Sequence, residues 1–186
     1  YNGFLAKNLI NYLQKKYNVY SISRKKNVIG ASPNIIFLDL SKKNSLKKFK
    51  LKKVDFIVHV ATIMMNNKIK AKTIILKNLN IINNLIKLLK IVSFKKIINI
   101  SSISLYPSRD GSFNEESSVN FLNNRDYPYA FSKFIAEKKI DTNFSPKKIL
   151  HLRVAQIVGN HKDSSIITSF KNEIKMKNKI SIYGNG

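Results

Sequence analysis

A tyrosine and a lysine stand four residues apart in the segment Tyr129-Ala130-Phe131-Ser132-Lys133. On a helix, residues at this spacing project from the same face, so the phenol and the ammonium group would lie side by side. A free tyrosine has a pKa of about 10, and a cation held close to it favours the phenolate and lowers that pKa. The pair therefore predicts a general acid or base that works near neutral pH.

Serine hydroxyls lie upstream of this pair, directly after the apolar run 96–100. They belong to Ser101, Ser102 and Ser104. Hydroxyls at the carboxyl end of a parallel strand face the ligand crevice of such a sheet. We therefore expect at least one of them to meet the tyrosine.

The rest of the chain alternates short apolar runs with helical stripes, which predicts a parallel sheet covered by helices. Strands are predicted at 18–23, 35–38, 54–60, 96–101, 149–154 and 180–183, and helices at 4–16, 45–49, 73–93, 129–140 and 166–175. The chain opens on a turn and a helix with no strand before them, and in a doubly wound sheet that strand would be the central one. We expect a Rossmann-like doubly wound α/β fold that is truncated before its first strand.

The opening turn, Gly3-Phe4-Leu5, stands where a dinucleotide site would place its phosphate loop. A glycine permits close approach, and a helix N-terminus offers amides to a phosphate. With one glycine the motif is weak, and a plain turn stays the alternative. The next strand ends in Ser23-Arg24 without a carboxylate. An arginine there suits the 2′-phosphate of NADP, which favours NADP over NAD, with a solvated basic loop as the alternative.

The composition is strongly basic, with 34 Lys and Arg against 10 Asp and Glu and a formal net charge of +24. Such a balance is typical of nucleic-acid-binding proteins. The lysines are spread along the whole chain, however, and the arginines, which favour base and phosphate contacts, number only four: Arg24, Arg109, Arg125 and Arg153. We interpret the charge as a compositional bias and expect no nucleic-acid partner.

Other partners and sites are limited by the same composition. The chain has no cysteine, which excludes disulfides and thiolate metal sites. His59, His151 and His161 lack the spacing of metal ligands, so no metal is expected. No apolar run approaches the roughly 18 residues that a membrane span needs, so we expect no membrane partner and a cytoplasmic location.

Taken together, the motifs resemble those of the extended short-chain dehydrogenase/reductase family, also called the NAD-dependent epimerase/dehydratase family. That family opens with Gly-x-x-Gly-Phe-[Ile/Leu]-Gly, which residues 1–6 resemble with the first glycine cut off and Ala6 in place of the last. Further segments similar to family motifs are Asp39-Leu40, His59 to Thr62, Asn78 to Leu85, Ser101 to Pro107, Pro128 to Glu137 and Leu152 to Asn160. The chain departs from the family at Ile81 and Ile82, where a Gly-Thr pair is usual, and at Gln156.

The resemblance implies roles for individual residues. Tyr129 would be the general acid/base on a sugar hydroxyl or carbonyl, and Lys133 would bond the nicotinamide ribose and lower the tyrosine pKa. Ser102 would hold the reacting oxygen, with Ser101 or Ser104 as second choices. The implied cofactor site consists of Gly3, Phe4, Leu5, Ser23, Arg24, Asp39, Leu40, Ala61, Asn78, Tyr129 and Lys133. A turn cap is the alternative for Asp39, and a packed strand residue is expected at His59.

The implied protein is an NAD(P)-dependent epimerase or reductase of a nucleotide sugar, working as a homodimer. One alternative is a nucleotide-sugar 4,6-dehydratase, although dehydratases of this family place an Asp-Glu pair where Ile103 and Ser104 stand. Another is a non-catalytic NADP-binding sensor, against which the intact Tyr129–Lys133 pair argues. We expect residues 1–160 to form the cofactor-binding domain and 161–186 to begin the substrate-binding region, which would be cut short within that C-terminal domain.

Overall fold

The computed structural model describes residues 3–24, 34–42, 46, 49–64, 69–159 and 166–181. The chain divides into two compact units, 1–155 and 156–186. Residues 45, 47 and 48 of the predicted helix at 45–49, and residues 182 and 183 of the predicted strand at 180–183, lie outside the described residues.

The first unit alternates helices and strands. Its elements are α1 (Phe4–Leu13), β1 (Tyr20–Ser23), β2 (Asn34–Phe37), β3 (Phe56–His59), α2 (Ala71–Ile91), β4 (Lys96–Ser102), α3 (Tyr127–Asp141) and β5 (Ile149–Val154). Short 3₁₀ turns at Ile103–Leu105 and Pro146–Lys148 follow β4 and precede β5. Pro128 lies in the first turn of α3, where its missing N–H leaves no helical bond unmade.

All described strand pairs are parallel. β1 pairs with β2, and β4 lies between β3 and β5 in a second sheet. Within each sheet the carboxyl ends of the strands therefore meet at one edge, which is where Ser102 lies at the end of β4. The predicted Rossmann-like α/β fold with parallel strands is confirmed.

The main core lies between β3–β5 and the pair of helices α2 and α3. Its buried side chains are Ile82, Leu85, Ile86, Leu89, Phe94, Ile97, Ala136 and Ile140. Each large aliphatic side chain buried in this way contributes roughly 1.5–3 kcal/mol of transfer free energy. This packing fixes α3, and with it the Tyr-x-x-x-Lys segment, against the carboxyl half of β4.

The second unit contains α4 (Ile166–Lys177). The Glu173 carboxylate accepts a hydrogen bond from the backbone N–H of Ser181 at 2.8 Å, which holds the segment after the helix. Neither α4 nor any other helix in the described part of the chain has the length and apolarity needed to cross a membrane.

Candidate active site

One face of α3 carries Tyr129, Lys133 and Glu137, each one turn after the last. The structure brings the first two together, with the Lys133 ammonium 5.5 Å from the centre of the Tyr129 ring. Lys133 is buried, and its Nζ donates a hydrogen bond to the carbonyl of Ile100 in β4 at 2.7 Å. The helix and the central strand are thus joined through the lysine that the sequence singled out.

Burial changes the proton affinity of both groups. It lowers the pKa of Lys133 to about 8, and the negative charge of Glu137 only partly opposes this. It also raises the pKa of Tyr129, with Asp126 acting in the same direction and Ser102 against it. The expected lowering of the Tyr129 pKa is therefore wrong for this structure. Loss of water around the phenolate dominates, and Lys133 directs an N–H to the Ile100 carbonyl.

Among the three candidate serines, Ser102 is the one that reaches Tyr129. Its Oγ accepts a hydrogen bond from the Ser104 backbone N–H at 3.1 Å and donates one to the Ser104 hydroxyl at 3.0 Å. Ser101 is fully buried and interacts with Glu137 instead. The alternation of side chains along β4 separates these neighbours, so Ser102 is the serine placed to touch a reacting oxygen.

An ion pair between the buried Glu137 and the half-buried Arg153 holds α3 on β5. The Arg153 guanidinium donates to both carboxylate oxygens of Glu137, at 3.2 and 2.9 Å. Burial, the largest single effect, acts to raise the pKa of Glu137, but Arg153, Ser101 and His151 together outweigh it and the pKa is lowered. A third guanidinium N–H donates to the Tyr106 hydroxyl at 2.9 Å, which in turn donates to the carbonyl of Asn114. Sequence reasoning gave Glu137 and Arg153 no role of their own, although both stand in the motifs that it quoted.

Asn78 lies on α2 and holds the segment that follows β3. Its Oδ1 accepts from the Ile63 N–H at 2.8 Å, and its Nδ2 donates to the Ile63 carbonyl at 3.1 Å and to the Ser132 hydroxyl at 3.2 Å. Ala61, Asn78 and Lys133 line one small cleft. Asn78 therefore shapes this cleft by positioning backbone as well as by lining it.

Two further asparagines of α2 hold the turn after β2, and sequence reasoning missed them. Asn84 is buried and donates to the carbonyls of Leu40 and Lys42, both at 2.8 Å, while Asn80 donates to that of Ser41 at 3.1 Å. Asp39 Oδ1 accepts from the backbone N–H and the hydroxyl of Ser41. Asp39 is thus a turn cap in this structure, the alternative that the sequence left open. The sequence signal that could have identified Asn84 as a buried, hydrogen-bonded residue is its place within the apolar stripe of a helix.

The opening turn, unlike the turn after β2, has no side-chain hydrogen bond at its cap. Gly3 is the N-cap of α1, with φ −78° and ψ 153°, a backbone conformation open to any residue. A Cβ added there would meet no atom within 4 Å. Phe4 and Leu5 form the first turn of the helix and are half-buried. The fold itself therefore does not need a glycine at this position, which leaves its small size available for a ligand.

The candidate ribose selectors lie at the end of β1. Ser23 is buried and its carbonyl accepts from the Leu38 N–H at 2.8 Å, whereas Arg24 is exposed. The arginine is thus placed to meet a ligand from solvent.

His59 is packed at the end of β3, as expected. Its Nδ1 is 2.8 Å from Asn99 Oδ1, and Asn99 Nδ2 is 2.9 Å from His151 Nδ1 on the next strand. Burial lowers the pKa of His59 to about 4, and the Lys133 charge adds to this effect. In the described part of the chain, no group of His, Asp or Glu side chains could hold a metal ion.

The structure thus brings a tyrosine, a buried lysine and a serine together at the carboxyl edge of a parallel sheet, and the chain can now be compared with known proteins. The sequence profile of the NAD-dependent epimerase/dehydratase family matches residues 1–186. The chain belongs to this family. No curated protein sequence matches the chain.

Solved structures share the fold of this epimerase/dehydratase chain. A UDP-galactose 4-epimerase superposes with a TM-score of 0.75 at 17% identity, covering 96% of this chain and 61% of its own. The ADP-L-glycero-D-manno-heptose-6-epimerase of Helicobacter pylori gives 0.72 at 18% identity, with the same coverages of 96% and 61%. The UDP-glucuronic acid 4-epimerase of Bacillus cereus in complex with NAD gives 0.65 at 20% identity, covering 84% and 54%. The chain thus spans 61% of the length of the first two.

Proposed function

We propose that the protein is an NAD(P)-dependent epimerase or reductase of a nucleotide sugar. The observation that carries the proposal is the placement of Tyr129 between Ser102 and the buried Lys133 at the carboxyl edge of a parallel sheet. Family membership supports the nicotinamide cofactor. The nucleotide sugar is supported by the names of the three similar structures, which are epimerases of UDP- and ADP-linked sugars.

The described residues fit a dinucleotide. Gly3 leaves open space at the N-terminus of α1, so a pyrophosphate could approach the backbone of Gly3, Phe4 and Leu5. Ser23 and Arg24 would face the adenosine ribose, and the Asp39-Leu40 turn would flank the adenine. The cleft beside Lys133, lined by Ala61 and Asn78, would take the nicotinamide end. The cofactor supplies hydride transfer, and the protein supplies position and proton transfer.

Tyr129 would move the proton. When a sugar hydroxyl is oxidised, its O–H proton would pass to the Tyr129 phenolate, and when a sugar carbonyl is reduced, the Tyr129 phenol would donate that proton back. The raised pKa of Tyr129 keeps the phenol protonated at neutral pH, which suits donation to a carbonyl. Lys133, with its pKa of about 8, would bind the nicotinamide ribose while still cationic at neutral pH.

The activity is tested on the intact protein with NAD or NADPH and either UDP-glucose or UDP-galactose, with products separated by chromatography. We expect Tyr129→Phe to lower turnover by about 10²–10⁴-fold, the usual contribution of a general acid/base. Tyr127→Phe, the same chemical change on the same helix, is the matched control and should retain activity. Tight cofactor binding without turnover of any nucleotide sugar would instead favour the non-catalytic sensor.

Cofactor selectivity is a separate part of the proposal. Because β1 ends in Ser23-Arg24 without a carboxylate, we expect NADPH to bind more tightly than NADH. Fluorescence titrations should show this preference reversed in Arg24→Asp. Equal or tighter binding of NADH by the unchanged protein would reject the role of Arg24 and favour an epimerase over a reductase.

The domain and assembly predictions belong to the same proposal. Residues 1–160 would form the cofactor-binding domain, 161–186 would begin the substrate-binding region, and the protein would act as a homodimer. Analytical ultracentrifugation of the intact protein tests the assembly, since a monomer at micromolar concentration would contradict it.

A further inference from the structure

Three side chains form a hydrogen-bonded line that starts at Ser102 and ends outside the Tyr–Lys pair. The Ser102 hydroxyl donates to Ser104 Oγ at 3.0 Å, and the Ser104 hydroxyl donates to Asp126 Oδ2 at 2.6 Å. Asp126 is the N-cap residue of α3, but its side chain makes no capping bond to the helix. Its carboxylate is directed to Ser104 instead of serving the common structural role of that position.

The direction of this line follows from counting hydrogens. A carboxylate only accepts, so Ser104 must donate its single hydroxyl hydrogen to Asp126. Ser104 Oγ then has only lone pairs left for Ser102, so Ser102 must donate its own hydrogen to Ser104. Ser102 Oγ also accepts from the Ser104 backbone N–H. Ser102 Oγ is therefore left with one lone pair, and no hydrogen, to offer to Tyr129 or to a bound ligand.

The surrounding loop holds this arrangement in place. Asn124 Nδ2 donates to the carbonyls of Ser104 and Tyr106, both at 2.8 Å, and its Oδ1 accepts from the Ser108 N–H. The segment before α3 is thereby tied to the turn after β4, at Ser104 and at the residues that follow it. The bond between Ser104 and Asp126 therefore joins two segments whose backbones are already fixed.

We propose that Asp126, acting through Ser104, fixes Ser102 as a hydrogen-bond acceptor toward Tyr129 and the reacting oxygen. This inference rests on the proposed function for its catalytic meaning. An acceptor at Ser102 matches a hydroxyl on the substrate and leaves Tyr129 as the hydroxyl that donates to a carbonyl. Asp126 and Ser104 are positioning residues in this scheme, because they act through Ser102.

The direction of the Ser102 hydrogen bond also affects the ionisation of Tyr129. Ser102 acts to lower the pKa of Tyr129. A hydroxyl does this most strongly by donating to the phenolate, and the bond from Ser102 to Ser104 opposes that donation. The Asp126 charge raises the same pKa directly, after the larger effect of burial. Among the described residues, Asp126 at the start of α3 acts on the phenol through its charge, and the Lys133 ammonium lies 5.5 Å from the centre of the ring.

Ser104→Ala separates hydrogen-bond direction from charge, because it keeps Asp126 and frees the Ser102 hydrogen to turn toward Tyr129. We expect Tyr129 to ionise about one pH unit lower, a tenfold change in its ionisation constant, of the size that a hydrogen bond to a charged group gives. Phenolate absorbance is titrated in the intact protein, and the curve of a matched Tyr129→Phe variant is subtracted. Asp126→Asn should shift the titration the same way by at least as much, and Asp110→Asn, in an exposed loop, should not.

An unchanged Tyr129 titration in Ser104→Ala would overturn the inference, since a purely structural bond would not move the phenol. If Ser104→Ala does not fold by circular dichroism, Ser104→Cys gives the same test, because a thiol is a weak donor and acceptor. The titration needs neither cofactor nor substrate. A shifted titration in a protein that binds no NAD(H) or NADP(H) would therefore support the Ser102 arrangement and reject the proposed function.

Discussion

Two corners of the proposed site are built in opposite ways. The catalytic corner consists of Ser102, Ser104, Asp126, Tyr129 and Lys133. Hydrogen bonds of 2.6–3.1 Å join its two serines to each other and to Asp126. Lys133, with 4% exposure, donates to the Ile100 carbonyl at 2.7 Å. The opening corner, which consists of Gly3, Phe4, Leu5, Ser23 and Arg24, presents a glycine that faces open space and an exposed arginine.

The difference indicates which parts of the site are preorganised. Groups that act on a transferring proton work best when the protein fixes them in advance, since no reorganisation is then needed during reaction. Groups that only bind a phosphate or a ribose need space and accessible donors. Changes in the catalytic corner should therefore affect rate and pH dependence, whereas changes in the opening corner should affect cofactor affinity alone.

The largest effect is expected at Lys133. Replacement of Lys133 by Met removes the cation beside Tyr129, and we expect turnover to fall by about 10³-fold, equivalent to about 4 kcal/mol of barrier. The free energy of unfolding at pH 7 should not fall, because the fold no longer buries a charge whose pKa is held near 8. Steady-state rates and urea unfolding measure the two quantities.

The pH dependence of the unchanged protein gives a second measurement on the same residue. Activity that needs the Lys133 cation should decline as pH rises through about 8. A rate that stays constant up to pH 10 would show that the Lys133 cation is not needed for activity.

The next largest effect concerns the ion pair that seats α3. Glu137→Gln leaves the half-buried Arg153 without its counter-charge, which should lower the free energy of unfolding by roughly 1–3 kcal/mol, between the values for exposed and fully buried pairs. Asp55→Asn is the matched control, since it breaks a pair with Lys95 in which both side chains are mostly exposed, and it should cause no measurable change. Equal losses in the two variants would show that burial does not distinguish the pairs.

Protonation of His59, which lies next to the catalytic corner, should make the free energy of unfolding depend on pH. Its pKa is about 4 in the fold against about 6.5 in an unfolded chain, so between these values the unfolded chain binds the extra proton. Stability from this group is complete above about pH 6.5 and is lost as pH falls toward 4, by less than about 3 kcal/mol. Urea unfolding at pH 7 and pH 4.5 should show a smaller decrease in His59→Gln. Parallel decreases would contradict the assigned pKa.

The smallest effect tests the opening corner. Gly3→Ala places a methyl group in open space, so the free energy of unfolding should change by less than about 0.5 kcal/mol. The same methyl group would block a pyrophosphate, and we expect cofactor affinity to fall at least tenfold, or about 1.4 kcal/mol. Lys7→Ala, on the exposed side of the same helix, is the control. Unchanged affinity in Gly3→Ala would place the phosphate elsewhere and end the distinction between the two corners.

Much of the architecture could be predicted from local pattern. The run 149–154 predicted β5 with its observed bounds, and the predictions for α3 and β4 missed only their first or last residues. Side-chain directions could not be predicted in this way. The roles of Asn84 and Asp126 depend on contacts with residues 40–42 and 104, which are distant in sequence.

The sequence by itself determined that Tyr129 and Lys133 share a helix face, because that follows from helical periodicity alone. It also determined that serines stand at the end of β4 and just after it, at an edge where parallel strands end. Only the tertiary structure decided which serine meets the tyrosine and that the Tyr129 pKa is raised rather than lowered. Both outcomes depend on how much water the packing of α3 against β4 removes and on where the hydrogens of Ser102 and Lys133 are directed, and no local pattern specifies either.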